Sequence, residues 1–170
     1  IYDPIYLEHD QPSHPENARR LKRILSRLED EEILTRVKLL EPRPATGEEL
    51  ERVHTPEHVE RVKRVAQGGG GNLDPDTYVS PRSFDAALMA AGGVVRATEA
   101  VLAGEIANGF ALVRPPGHHA TPTRGMGFCL FGNVALAADA ARLDRDLDRV
   151  LIVDFDVHHG NGTEDIFDQD

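Results

Sequence analysis

The sequence predicts an α/β fold with a mostly parallel, helix-covered sheet, and three observations carry that expectation. Val150-Leu151-Ile152-Val153 is a run of four aliphatics, the mark of a strand buried on both faces. Phe110-Ala111-Leu112-Val113 is a second such run, and both end abruptly in polar residues. Around them lie segments whose apolar residues recur at helical spacing. Strands separated by helices imply crossover connections, so both polar strand ends open on one edge of the sheet. The 170 residues are enough for a single domain, 1–170, with a sizeable core.

The elements follow in chain order. Ile1-Tyr2-Asp3 reads as a short opening strand and leads into a polar loop ending at Ser13. Ser13-His14-Pro15-Glu16 reads as a helix start: Ser13 caps, Pro15 suits the first turn and Glu16 suits its positive end. Leu21, Ile24, Leu25 and Leu28 then line one helical face, with Arg and Lys opposite. His14 reads as a solvated neighbour of the cap. Val37-Lys38-Leu39-Leu40 is a short strand that ends before Pro42. Thr46 and Thr55-Pro56 open two more helices, the second carrying Val59, Val62 and Val65. His54 and His58, beside that start, are assigned to capping and packing.

Residues 68–76 have too little apolar content to pack and read as a loop. Such loops border pockets, where Asp74 or Asp76 could grip a substrate backbone, though a solvated loop is the simpler reading. Ser80-Pro81 caps the longest helix, to about residue 103, and Ala90-Ala91-Gly92-Gly93 lets it approach another layer closely. Gly132-Asn133 leads into an Ala-rich helix over about 134–143, which feeds the run at 150–153.

Composition narrows the function classes. A net charge of −10 argues against unspecific nucleic-acid binding, which needs basic side chains to neutralise phosphates. No run of 18 apolar residues is present, so no membrane span is expected. Ile1-Tyr2-Asp3-Pro4 lacks the regions of a signal peptide, and a lone cysteine, Cys129, allows no internal disulfide. Both suit a reducing cytoplasm.

The chemistry concentrates at the two strand ends. After Val153 the pattern alternates: Asp154, Asp156 and His158 share one face, Phe155 and Val157 the other. Neighbours on that face are roughly 6.6 Å apart, so Asp156 and His158 can bend toward one cation. Carboxylates beside an apolar run need a counter-charge, and a metal ion is the simplest. Gly160 and Gly162 then permit a tight, closely approaching turn. At the other end, His118-His119 follows Pro115-Pro116-Gly117. Adjacent side chains reach one substrate atom only where the backbone bends, as Pro-Pro-Gly makes it do. Imidazoles suit acid–base work near neutrality, with Asp154 and Asn161 available to fix their tautomers.

Three stretches together resemble the histone deacetylase family, which includes acetylpolyamine amidohydrolases and bacterial acetoin-utilisation relatives. They are Arg114-Pro115-Pro116-Gly117-His118-His119-Ala120, Gly127-Phe128-Cys129-Leu130-Phe131-Gly132-Asn133-Val134-Ala135, and Val153-Asp154-Phe155-Asp156-Val157-His158-His159-Gly160-Asn161-Gly162-Thr163. His14-Pro15-Glu16-Asn17 and His54-Thr55-Pro56-Glu57 match weaker N-terminal signatures, so the resemblance runs over 1–170.

The resemblance implies an arginase/deacetylase-like three-layer α/β sandwich and zinc-dependent removal of acetyl or acyl groups from lysine side chains or polyamines. It assigns Asp156 and His158 as zinc ligands, His119 as general base and acid, and His118 as its companion paired with Asp154. Gly127 and Phe128 would line the acyl-lysine channel. Asp154, with backbone oxygens of Asp156 and His158, would hold a potassium ion. Gly160 stands where two-metal relatives carry a carboxylate, which favours one catalytic metal. Acetylated lysine peptides and acetylpolyamines both remain candidate substrates, and oligomerisation is left open.

Two positions depart from the family pattern. Some members carry Asp where Asn161 stands, and Asn lends His119 no negative charge. Asn161→Asp is therefore expected to shift the pH–rate profile, and an unmoved profile would count against the pairing. Gly132 stands where Asn is common. The family's third zinc ligand, an Asp, and its carbonyl-polarising Tyr belong to later motifs that residues 1–170 do not contain. The expectation is an N-terminal portion of a deacetylase. The alternative is a non-catalytic protein of the same fold that binds a metal or a partner.

Overall fold

The computed structural model describes residues 1–145 and 147–168; Asp146, Gln169 and Asp170, the last two closing the expected domain, lie outside the described residues. Asp3 caps a 3-10 turn over Pro4–Leu7, accepting the Ile5 N–H at 2.8 Å. Helix α1 spans Ala18–Asp30 and begins later than Ser13 suggested. Asn17 is its cap, accepting the Arg19 N–H at 3.0 Å, and Asp10 accepts the Ala18 N–H at 2.7 Å. His14-Pro15-Glu16 is committed to tertiary contacts instead.

The next two helices start as their caps predict. In α2, Gly47–Glu51, the Glu49 N–H donates to Thr46 Oγ1 at 3.1 Å and the Thr46 N–H donates back to the Glu49 carboxylate at 2.7 Å. In α3, Pro56–Gln67, Thr55 caps and Pro56 takes the first position. The expected loop at 68–76 is partly wrong. Strands β1, Gly71–Asp74, and β2, Thr77–Val79, form an antiparallel hairpin with Gly71 opposite Val79 and Asn72 opposite Tyr78. β1 has no strand signature of its own; it is held because Thr77, Tyr78 and Val79 are all buried by distant elements.

Helix α4, Ser83–Leu102, packs along α5, Asn133–Arg145. Ala87, Ala91 and Val95 of the first join Ala135, Leu136 and Ala140 of the second in the main core, with Leu50, Val62, Leu130 and Phe131. Small side chains allow this close approach, and neither helix is long and apolar enough to cross a membrane. A smaller cluster joins Tyr6, Leu21, Ala90 and Leu112. Helix α6, Asn161–Phe167, begins inside a Gly-x-Gly stretch that reads as a turn, so the sequence did not announce it.

A mostly parallel sheet is not formed among the described residues, where β1–β2 is the only ladder. One parallel pairing is present in outline: the Ile1 nitrogen donates to Phe110 O at 2.8 Å and the Leu112 N–H donates to Ile1 O at 3.0 Å. The runs 37–40 and 150–153 join no ladder. Residues 150–152 face α5 and α6 across a groove of about 1010 Å³. Leu151, Val153, Phe155 and Val157 are 87%, 71%, 96% and 93% exposed, so the burial expected on both faces is absent. A run of aliphatics reports what a strand would accept as neighbours; it does not supply them.

Three histidines enter the fold buried: His9, His54 and His58. Burial pushes His9 down to about 3 and His54 to about 4, and lowers His58 as well. Below about pH 6.5 the unfolded imidazoles take up protons that the folded ones refuse. The unfolded state therefore binds more protons between about pH 6.5 and 3, and stability is lost as the pH is lowered across that window. Thermal melts followed by circular dichroism should show the midpoint dropping over this range, with a shallower slope for His54→Gln. A midpoint that stays level would mean these rings charge without cost.

Candidate active site

The tandem histidines hang from a buried anchor. Arg114 is fully buried, and its guanidinium donates to both Glu16 carboxylate oxygens (Nε at 2.9 and 3.1 Å, Nη2 at 2.6 Å), to Tyr6 O at 2.9 Å and to Tyr78 Oη at 3.0 Å. Burial pushes the Glu16 carboxyl up, but hydrogen bonds and charge from Arg114 outweigh it and hold the group below its ordinary value. From this anchor the chain passes through a cis Arg114–Pro115 bond, and Asn133 Nδ2 donates to Pro115 O at 3.0 Å.

The expected bend follows. The His118 and His119 rings lie face to face at an angle, centroids 4.0 Å apart and 43° between planes. His118 Nδ1 is 2.8 Å from Asp154 Oδ2, and His119 Nδ1 is 2.6 Å from Asn161 Oδ1. A carboxylate or amide oxygen only accepts, so Nδ1 carries a proton in both rings and Nε2 is the atom left for proton transfer. The hydrogen bond from His118 is the main reason the Asp154 carboxyl sits below its usual range. The structure thus brings together the four residues expected to share acid–base work.

Gly162 is what lets α6 close on this pair. Its N–H donates to His118 O at 2.9 Å, and a Cβ there would lie 2.5 Å from His119 C and 2.6 Å from Ala120 N. Gly160 likewise abuts the Asp154 carboxylate. Below the rings, the His119 N–H donates to Cys129 Sγ at 3.4 Å, and burial pushes the Cys129 thiol up to about 12, so it stays protonated.

The acidic ledge is a chain of turns. Asp154 Oδ1 accepts the Asp156 N–H at 3.0 Å, and Asp156 Oδ1 accepts the His158 N–H at 2.8 Å. His158 Nδ1 lies 2.9 Å from that same Asp156 oxygen. Asp156 and His158 are 48% and 72% exposed, not buried as the alternating pattern suggested, because nothing described covers the ledge. They line a hollow of about 440 Å³ with Asp154, His159 and Gly160, and His159 Nε2 is 2.8 Å from Glu164 Oε2 at its rim. The larger groove beside α5 and α6 shares Glu164 with this hollow but contains neither Asp154, Asp156 nor His158.

The Asp156–His158 pair fits a divalent cation in donor type and convergence. His158 Nδ1 now donates to Asp156 Oδ1 at 2.9 Å, so a metal would have to replace that proton between the two atoms. The pair is an incomplete set: among the described residues no group of three or more His, Cys, Asp or Glu side chains converges as a metal site. The expected potassium ion gains no support from these contacts: the Asp154 oxygens meet His118 Nδ1 and the Asp156 N–H.

Gly127 and Phe128 form a turn with φ of 55° and 71°. An aromatic residue in the left-handed region is held there by its surroundings. The Phe128 N–H donates to Thr77 Oγ1 at 3.1 Å, and the His14 ring meets the Phe128 ring edge-on, centroids 4.7 Å apart. His14 is therefore no solvated cap neighbour: its Nε2 reaches Asp76 O at 3.0 Å, and its ring also contacts Tyr78. Nothing in local spacing signals this. Asp74 accepts the Asp76 N–H within the hairpin at 3.2 Å, an ordinary turn contact. Met126 also went unnoticed in the sequence; its sulfur accepts from Asn161 Nδ2 at 3.7 Å, fixing which way that amide points.

Comparison with known proteins gives a consistent result. A family model, histone deacetylase domain, matches residues 14–170. A histone deacetylase-like amidohydrolase of Pseudomonas aeruginosa is 44% identical over 153 residues, covering 90% of this chain and 40% of that protein. A probable deacetylase of Methanothermobacter thermautotrophicus is 44% identical over 170 residues, covering 100% of this chain and 50% of the other. A crystal structure of the HDA15 HD domain superposes with a TM-score of 0.95 at 41% identity, covering 99% of this chain and 49% of that one. The chain therefore has the fold of that domain over its own length, and spans about half the length of the relatives it matches.

Proposed function

The chain belongs to the histone deacetylase family, and from that premise we propose that the protein hydrolyses acetyl or related acyl amides of lysine side chains or polyamines with zinc as its metal. We take the architecture around the site to be a three-layer sandwich with a mostly parallel sheet, which the likeness to the HD domain supports. The observation that carries the chemistry is the pair of Nδ1 hydrogen bonds at His118 and His119, 2.8 and 2.6 Å long, which hold the two rings with centroids 4.0 Å apart.

Asp156 and His158 would hold the metal; a catalytic zinc supplies a Lewis acid for the amide carbonyl and a water whose pKa falls to about 7. His119 Nε2 takes a proton from the attacking water and later delivers one to the leaving amine. Asn161 orients that ring without adding charge, whereas Asp154 orients His118 through a carboxylate acceptor. Phe128 walls the channel, where a neutral acyl-lysine passes and a charged lysine would lose its hydration. Acetylated substrates of either class, a cytoplasmic setting and no nucleic-acid contact complete the reading; the net charge of −10 and the single buried thiol support the last two.

Acetate release from an acetyl-lysine peptide and from acetylspermidine tests this directly. His119→Ala should lower kcat by about 10²–10⁴-fold on the better substrate. A second reading is a non-catalytic protein of the same fold that binds a metal or a partner. Stoichiometric zinc uptake with no turnover of either substrate would select it.

A further inference from the structure

Two buried imidazoles that the chemistry above does not use clamp the segment that carries the channel wall. His54 Nδ1 donates to Thr121 O at 3.0 Å, and His54 Nε2 accepts the Gly132 N–H at 2.9 Å. One ring therefore ties together the two ends of residues 121–132. His58 Nε2 donates to Leu130 O at 2.9 Å, and the Thr55 N–H donates to Pro122 O at 2.8 Å. Both rings pack on Phe131, with centroids 5.5 and 5.7 Å away. Between the tied ends the chain presents Phe128 in its left-handed conformation and Cys129, whose sulfur accepts from His119.

We infer that His54 is a positioning residue: its neutral imidazole, protonated on Nδ1 alone, closes the base of the 121–132 segment and so sets where Phe128 and Cys129 stand. Only this tautomer serves both ends, because a cation would turn a proton against the Gly132 N–H and the other tautomer would set two lone pairs or two protons face to face. Burial, reinforced by the charge of His58, keeps the ring neutral well below physiological pH. The consequence for substrate rests on the deacylase reading: a loosened clamp widens the channel and weakens acyl-lysine binding while leaving the His118–His119 pair intact.

Amide hydrogen exchange decides the clamp. In His54→Leu, exchange at Phe128, Cys129 and Gly132 should quicken about tenfold, the scale of one lost buried hydrogen bond, with α4 unchanged. His54→Gln, which keeps an acceptor toward Gly132 and serves if the Leu variant does not fold, should restore protection at Gly132. Unchanged exchange, or a rise spread evenly over the chain, overturns the inference. On an acetyl-lysine peptide the Leu variant should raise KM about tenfold and change kcat far less; a fall in kcat at constant KM overturns the channel role. Should the wild-type protein hydrolyse neither the peptide nor acetylspermidine, the deacylase reading fails, and the exchange result still decides the clamp.

Discussion

Replacing Glu16 by Gln should cost about 3–5 kcal/mol of unfolding free energy, read from the urea midpoint, because it strands a buried cation. Arg114 has no exposure and Glu16 is 6% exposed, so water cannot take over the lost charge. A surface pair removed in the same way would cost no more than about 1 kcal/mol. Glu16 also accepts from Arg20, but Arg20 is 54% exposed and can turn to solvent, whereas Arg114 cannot. The loss would be a large share of a domain's usual margin of about 5–15 kcal/mol. The double variant Glu16→Leu with Arg114→Met should recover much of it, since removing both partners leaves no uncompensated charge. If Glu16→Gln behaves like a surface substitution, the guanidinium must be hydrated, and its role as anchor of the tandem histidines falls. The pH dependence has a definite sign: the carboxyl is held below its ordinary value, so its contribution is present above about pH 4.5 and is lost as acid protonates it.

The same ion pair shows where the sequence stops being legible. Asp154 and Asn161 could be named as partners of the tandem histidines before any coordinates, because Pro-Pro-Gly bends the chain and an imidazole needs an acceptor on Nδ1. Those are rules of local geometry and chemistry. Glu16 and Arg114 lie 98 positions apart, each inside a motif that reads locally as a cap or a turn, and no periodicity links them. His14 was lost in the same way: its contact with Phe128 exists only once the β1–β2 hairpin has folded against both. The run at 150–153 failed differently. Its aliphatics specify an environment, and whether that environment is met depends on other segments; the exposed Leu151, Val153, Phe155 and Val157 are that dependence seen directly. Helix α6 was hidden because Gly160 and Gly162 serve close packing where glycine usually signals a turn.

Gly162→Ala tests that last point and should be a damaging single-methyl change at the site. The added carbon would meet Ala120 O, His119 C and Ala120 N, all backbone atoms of a segment pinned by Cys129 Sγ below and by Gly162 itself. None is the end of a flexible side chain, so α6 must retreat by about 1 Å to restore ordinary contact, at a cost of about 1–3 kcal/mol. That retreat acts on the 2.6 Å bond between His119 Nδ1 and Asn161 Oδ1, since Asn161 opens α6. A displacement of this size at a catalytic group costs about 10²-fold in rate. The expected result is a modest fall in thermal midpoint with a disproportionate loss of acetate release, and loss of the low-field proton resonance of the bonded His119 Nδ1–H. Gly132→Ala is the control: its Cβ would meet Ile166 Cδ1 at 3.2 Å and Ala135 Cβ at 3.4 Å, side-chain atoms of which the first can swing away, so it should cost less than about 1 kcal/mol. Equal losses in the two variants would mean that α6 tolerates the shift, and that the short bond to His119 is not what prepares the ring for proton transfer.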